Sequence, residues 1–280
     1  MGLQALKAQL GTPYYETTNC LIYCGDCLEL FEHILQPSID LTVTSPPYNI
    51  GKSYETVLDL DDYLEWCEIW IRSLHRVTVP NGSLWLNLGY LSIQGKAKAI
   101  PISYLLWDKI SFFLMQEVVW HYEAGVAGKK FFSPRNEKFL WYVKNPDCYT
   151  FNLDHVRDPN VKYPNQKKNG KIKVNPLGKN PGDVWSFAKV TTGKNRASKE
   201  RTSHPAQFPE KVIERIIKAS SNEGDIILDP FMGSGTSLVV GLKEKRQVIG
   251  FEIKQDYCDL AIERIERLTQ TQHPLLFTEW

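Results

Sequence analysis

"DIILDPFMGSGTSLVVGLKEKRQVIGFEI", residues 225–253, is the stretch whose reading decides the fold. A short apolar run ends in Asp229. The turn Pro230-Phe231-Met232-Gly233-Ser234-Gly235 follows, then helical spacing from Thr236 to Lys245, then a second apolar run ending in Glu252. Strand, glycine turn, helix and strand make half of a doubly wound nucleotide-binding unit. The glycines let backbone approach a ligand closely, and an acid on the second strand tip accepts hydrogen bonds from ribose hydroxyls. A dinucleotide fingerprint would need a third small residue, but Leu238 stands there. A phosphate-binding loop would need Gly-Lys before Ser or Thr, which is missing. Asp229 instead suits a ligand with a cationic part and no phosphate. S-adenosylmethionine (SAM), with its ammonium, sulfonium and ribose, has that character.

The rest of the chain alternates in the same way. Ile22–Tyr23 reads as a strand, Asp26 to Leu35 as a helix and Ile39 to Val43 as a buried strand. Leu64, Cys67, Trp70, Ile71, Leu74 and Val77 recur at helical spacing, with acids in the first turn. "GSLWLNLG" reads as a strand, Ile100 to Phe113 as a helix, and "FLMQEVVWHY" and "EKFLWYVKN" as strands. Pro209 to Ser220 reads as a helix with proline near its start, and Gln255 to Thr269 as another. Such alternation predicts an α/β fold: a doubly wound, mostly parallel sheet with helices on both faces. With 280 residues, 42% of them hydrophobic, one large domain with an inserted region is expected.

No apolar run is long enough to cross a membrane, and the N-terminus lacks a signal-peptide h-region. Leu6 breaks the myristoylation pattern. A soluble intracellular protein without a membrane partner is expected. Six cysteines do not make a disulfide framework in a chain of this size. Cys24 and Cys27 form one CxxC with no second pair to complete a zinc site, so buried, reduced thiols and no metal are expected.

The net charge is +1, yet Arg157 to Arg201 holds twelve Lys or Arg against three Asp or Glu, leaving the remainder at −8. This block is also rich in Asn, Gly and Pro. Composition alone fits either a polyanion contact or a solvated lysine-rich loop.

"TSPPYNIG", residues 44–51, carries the chemistry. Two prolines cannot continue a helix or sit inside a sheet, so the strand before them runs into a stiff elbow. Beside SAM such an elbow has a use. The Ser45 hydroxyl and the Pro46 carbonyl can both accept from an exocyclic amine, Pro47 keeps the turn rigid, and Tyr48 can stack on an extruded base.

Elbow and glycine loop together resemble the amino-methylating DNA methyltransferases of bacterial restriction–modification systems. The order resembles that family's permuted beta arrangement: Thr44-Ser45-Pro46-Pro47-Tyr48 first, a target-recognition region next, and Asp229 to Thr236 last. The resemblance implies a catalytic half at 1–145, a DNA-binding insert at 146–203 and a SAM-binding half at 204–280. It implies catalysis by Ser45, Pro46, Pro47 and Tyr48. It implies cofactor binding by Asp26, Thr44, Asp229, Pro230, Phe231, Gly233, Ser234, Gly235, Thr236 and Glu252, with Asp26 toward the adenine. "NPGDVW" and "HPAQFPEKVIERII" look like the family segment that closes around the methionine end, while Asn136 stands where many members have histidine. Double-stranded DNA is the implied substrate, and a cytoplasmic, nucleoid-associated setting is implied. A companion endonuclease and the oligomeric state stay open.

Cytosine-N4 enzymes of the group usually carry Ser before Pro-Pro-Tyr, and adenine-N6 enzymes Asp or Asn. Ser45 and "HPAQFP" both point to cytosine N4. Adenine N6, an RNA methyltransferase and an inactive DNA-binding homologue are the alternatives. In the basic block, lysines and arginines would contact phosphates, with Arg196, Lys199 and Arg201 placed nearer the cofactor cleft. Lys52 to Leu60 is expected to form a mobile loop over DNA.

Overall fold

The computed structural model describes residues 2–52, 55–125, 127–190, 198 and 200–272. Arg196 and Lys199 lie outside the described residues, as do Ser53 and Tyr54 of the expected loop. The main sheet has nine strands: β1 (Tyr15–Thr17), β2 (Cys20–Cys24), β3 (Ile39–Thr44), β4 (Thr78–Leu88), β5 (Phe113–His121), β6 (Asn136–Val143), β7 (Val184–Ser186), β8 (Ile226–Asp229) and β9 (Gln247–Glu252). Their spatial order is β1-β2-β9-β8-β3-β4-β6-β5-β7. All run in one direction except β1 and β6. The expected doubly wound, mostly parallel sheet is therefore present.

Helices α1 (Leu3–Leu10), α2 (Cys27–His33) and α3 (Leu60–Val77) cover one face, and α4 (Glu210–Ser220), α5 (Thr236–Lys243) and α6 (Gln255–Gln272) the other. Strand residues alternate between the two cores, as the two-residue pleat requires. Ile226 and Leu228 join the first core and Ile227 the second; Leu84 and Leu86 join the first and Trp85 the second. On α3 the six apolar positions at helical spacing are all buried. Phe31 of α2 packs edge-on to Phe251 of β9, with ring centroids 5.8 Å apart.

Ile100–Phe113 is not the expected helix. Residues Ala97–Pro101 pair with Tyr90–Ile93 in a small hairpin, a single helical turn spans Ile102–Leu105, and β5 begins at Phe113. The apolar residues there are satisfied without a helix: Ile102, Leu106 and Phe112 reach the core from a turn. Lys109 leaves that turn to pair with Glu68 of α3 at 3.0 Å. Cys24 is likewise exposed, not buried, because it stands at the open tip of β2, while Cys27 is buried in α2. The described residues contain no cluster fit for a metal ion and no helix long and apolar enough to cross a membrane.

At β8 and β3 the sheet has its switch point. The chain leaves β8 toward β9 on one side and leaves β3 toward β4 on the other. Ligands bind outside the carboxyl ends of strands at such a point. Phe31→Ala, which empties the packing under β9, is expected to lower unfolding stability by about 3–5 kcal/mol, read from a chemical denaturation midpoint.

Candidate active site

Outside the switch point lies a cleft of about 550 Å³. Both distant motifs line it. Ser45, Pro46, Pro47 and Tyr48 come from the elbow after β3. Pro230, Phe231, Gly233, Ser234 and Thr236 come from the turn between β8 and α5, with Asp229 and Glu252 at the strand tips and Asp26 at the start of α2. Thr44 and Gly235 do not line the cleft; each supports it from beneath. Thr44 is fully buried, and its hydroxyl donates to Asp229 Oδ1 at 2.7 Å, tying the tip of β3 to the tip of β8. Gly235 adopts φ 69°, and a Cβ there would lie 2.7 Å from Ala261 Cβ of α6. Gly233, at φ 48°, is closed against the His204 imidazole.

Asp229 is buried among neutral donors: the Thr44 and Ser237 hydroxyls and the Phe231 N–H. Burial pushes its carboxyl up to about 6, against the pull of these hydrogen bonds. Glu252 is also raised by burial, although the N–H groups of Lys254 and Gly233 donate to it at 2.9 and 3.0 Å. Asp26 uses one oxygen to cap α2, accepting from Leu28 N–H at 2.8 Å. Two acids that line one cleft, Asp229 among neutral donors and Glu252 with Lys254 nearby, suit a cationic ligand. Phe231 and Trp66, 5.6 Å apart, add an aromatic wall for a flat ring.

The elbow is held by residues that the motif does not contain. Asn87, at the end of β4, donates from Nδ2 to the Lys138 carbonyl at 3.0 Å, so its Oδ1 faces the elbow as an acceptor. The Tyr48 hydroxyl donates to that oxygen, and Ser45 Oγ stands 2.6 Å from the Tyr48 hydroxyl. Ser45 Oγ also lies 3.5 Å from Asn87 Oδ1, so the serine hydroxyl is held within the Ser45–Tyr48–Asn87 group. Ser45 lines the cleft from there. Gly89 gives room for this, since a Cβ there would lie 2.5 Å from the Tyr48 ring. Tyr63 of α3 donates to the Pro47 carbonyl at 2.8 Å. Their signal in the sequence, a polar Asn and a Gly at the end of an apolar strand, is weak by itself.

Two other residues brace the glycine loop, Arg264 from behind it and His204 from the cleft side. Arg264 of α6, buried, donates to the Ser234 carbonyl at 2.7 Å and to Thr236 Oγ1 at 2.9 Å, and pairs with Glu210 at 3.0 Å. His204 packs edge-on to Tyr257, and burial lowers its imidazole to about 4, so it stays neutral. Glu55, beyond the elbow, accepts from the N–H groups of Asn49, Ile50 and Lys52 at 2.8–2.9 Å and folds this segment over the cleft mouth. Of the basic block, Val184–Ser186 joins the sheet edge as β7. None of its described lysines or arginines lines the cleft, and Arg201 is exposed outside it.

A cation seat opening onto a cradle of neutral acceptors is the arrangement of a SAM-dependent methyltransferase acting on an amino group. The DNA methylase family matches residues 39–263, and the chain belongs to that family. It is 59% identical over 269 residues to the type II methyltransferase M.ScaI of Streptomyces caespitosus, covering 96% of this chain and 88% of that one. It is 34% identical to the DNA adenine methyltransferase YhdJ of Escherichia coli (strain K12), over 86% of this chain and 81% of that one. The fold is shared with the PvuII DNA methyltransferase (cytosine-N4-specific), at a TM-score of 0.70 and 23% identity, covering 95% of this chain and 96% of that one.

The raised carboxyl of Asp229 sets a pH dependence. Below about pH 6 the acid is protonated and a cation loses its partner. SAM affinity is therefore expected to weaken as pH falls below 6, by up to about tenfold per pH unit, and Asp229→Asn is expected to flatten this profile. Calorimetric titration between pH 5 and 8 measures both.

Proposed function

We propose that this chain is a site-specific methyltransferase that moves the methyl group of SAM to the exocyclic N4 of a cytosine extruded from duplex DNA. The observation that carries the reading is a neutral hydroxyl at the elbow end of the cleft: Ser45 Oγ, held 2.6 Å from the Tyr48 hydroxyl, beside Pro46. SAM, when bound, supplies an electrophilic methyl on a sulfonium. Asp229 and Asp26 would hold its charged and adenine ends, Glu252 its ribose. Everything else is positioning by the chain itself. Ser45 and Pro46 accept the two N–H bonds of the amine, which turns the nitrogen lone pair toward the methyl. Tyr48 offers a ring for the extruded base to stack on. After transfer the alkylated amine is acidic and loses one N–H proton to solvent, while Ser45 Oγ keeps only a hydrogen bond from it and takes no proton.

The permuted order supports assignment to the beta group, with residues 1–145 and 204–280 as the two halves of the catalytic domain. Residues 146–203 serve as the target-recognition insert, whose basic side chains meet phosphates. The enzyme would act in the cytoplasm on nucleoid DNA, and the likeness to type II enzymes supports a companion endonuclease. Adenine N6 is the second reading, favoured by the 34% identity to an enzyme described as a DNA adenine methyltransferase.

Product identification decides between them. The protein is incubated with undermethylated DNA and isotope-labelled SAM, and the labelled nucleoside is identified by mass spectrometry. N4-methylcytosine is expected; N6-methyladenine would replace it with the second reading. Ser45→Ala is expected to lower kcat by about a hundredfold while leaving the SAM dissociation constant unchanged. Asn87→Ala is expected to follow it in direction, since it releases the tyrosine that orients the serine. An equal loss of SAM affinity in either variant would contradict the separation of roles.

A further inference from the structure

Phe132 is fully exposed, at 101% of its reference area, and Phe131 beside it is half exposed. Phenylalanine is ordinarily an interior residue, so a bare ring on a built turn calls for a partner. The turn is built. Gly128 N–H donates to Ser133 Oγ at 2.9 Å, and a Cβ on Gly128 would lie 2.4 Å from the Phe131 carbonyl oxygen. Lys98 Nζ sits 3.8 Å above the Phe131 ring, so that ring is held while its neighbour projects. Lys129 and Lys130 precede the pair and are exposed, as is Lys96 on the adjoining hairpin.

The placement matters as much as the composition. Residues 122–135 join the carboxyl end of β5 to the start of β6, where His121 pairs with Asn136. That is the end of the sheet at which the cleft opens. The hairpin carrying Lys98 leaves directly from Gly89, the residue against which Tyr48 lies, and β6 supplies the Lys138 carbonyl that anchors Asn87. The aromatic tip and its lysines therefore rise from the two strand ends that flank the catalytic tyrosine.

We propose that Phe132 is a wedge that enters the duplex and occupies the stack vacated by the target base, with Lys129 and Lys130 on the flanking phosphates. The inference rests on the reading of the cleft as an extruded-base pocket. Taking a base out of the stack costs unstacking and unpairing, and proteins that open or kink duplexes offset this with apolar side chains placed between base steps. Cations beside such a ring hold the backbone without reading sequence. The surface of a DNA is the partner that satisfies both halves of this loop: a flat apolar slot and two rows of anions.

The test uses the full-length enzyme, the methylated site mapped from its own product, and two duplexes. In one the target base is correctly paired; in the other it faces an abasic site, so that it is already unpaired. Phe132→Ala is expected to lower kcat/KM on the paired duplex by on the order of tenfold to a hundredfold and to lose much less on the unpaired one, with SAM affinity unchanged. Phe132→Trp is expected to retain activity on both. Lys129→Ala with Lys130→Ala is expected to weaken binding to both duplexes alike and to reduce its salt dependence. Equal losses on the two duplexes, or no loss in Phe132→Ala, would overturn the wedge while leaving the base-methylating cleft intact. A wild-type enzyme that labels no DNA would overturn the parent reading and the wedge together.

Discussion

Everything in the site depends on one buried hydrogen bond, from the Thr44 hydroxyl to Asp229. It joins residues 185 positions apart in the chain, at the point where the two halves of the sheet turn away from each other. On one side of it lies the elbow proposed to hold the amine. On the other lies the glycine turn proposed to seat the cofactor. Because the bond is short, neutral on one partner and shielded from water, it fixes the distance between the two reactants without adding a second charge. Burial raises the carboxyl of this acid, and its hydrogen bonds come from neutral donors.

Around this bond, the supports follow a common design. Polar side chains from outside the two motifs reach backbone or hydroxyl groups of the motif residues. Asn87 does so for Tyr48 and Ser45, Arg264 for Ser234 and Thr236, and Glu55 for the segment after the elbow. A positioned group is worth more than a mobile one, because the ordering cost is met during folding and not during the reaction. Two prolines alone would stiffen the elbow; the hydrogen bonds give it a direction.

Much of this was legible in the chain. The strand–turn–helix–strand at 225–253 and the alternation around it identify the sheet, since apolar period and glycine placement are local properties. The elbow, the glycine turn and the acids at the strand tips were also legible, because each sits in a short motif with a chemical reason; Trp66 and Glu55 on the same cleft were not. The supports were not. Asn87, Gly89 and Arg264 act across the fold, and their neighbours in sequence carry no trace of their partners in space. The turn at Ile102–Phe112 was misread for a related reason: its apolar residues suit a helix and a core-facing turn equally well, and the pull of Lys109 toward Glu68 comes from another element. Cys24 was misplaced because a strand end says little about which side of the tip is open.

The crossing of early and late strands also bears on how the molecule is made. β3 is among the first strands to leave the ribosome, yet its neighbour β8 begins at residue 226 of 280. Pairing across such a span is slow, because a long loop must close before the contact returns anything. Until β8 and β9 are synthesised, the nascent chain carries the elbow but lacks Asp229, the glycine turn and Glu252. Both walls of the cleft therefore come into being together, and only in a chain whose last strands have docked.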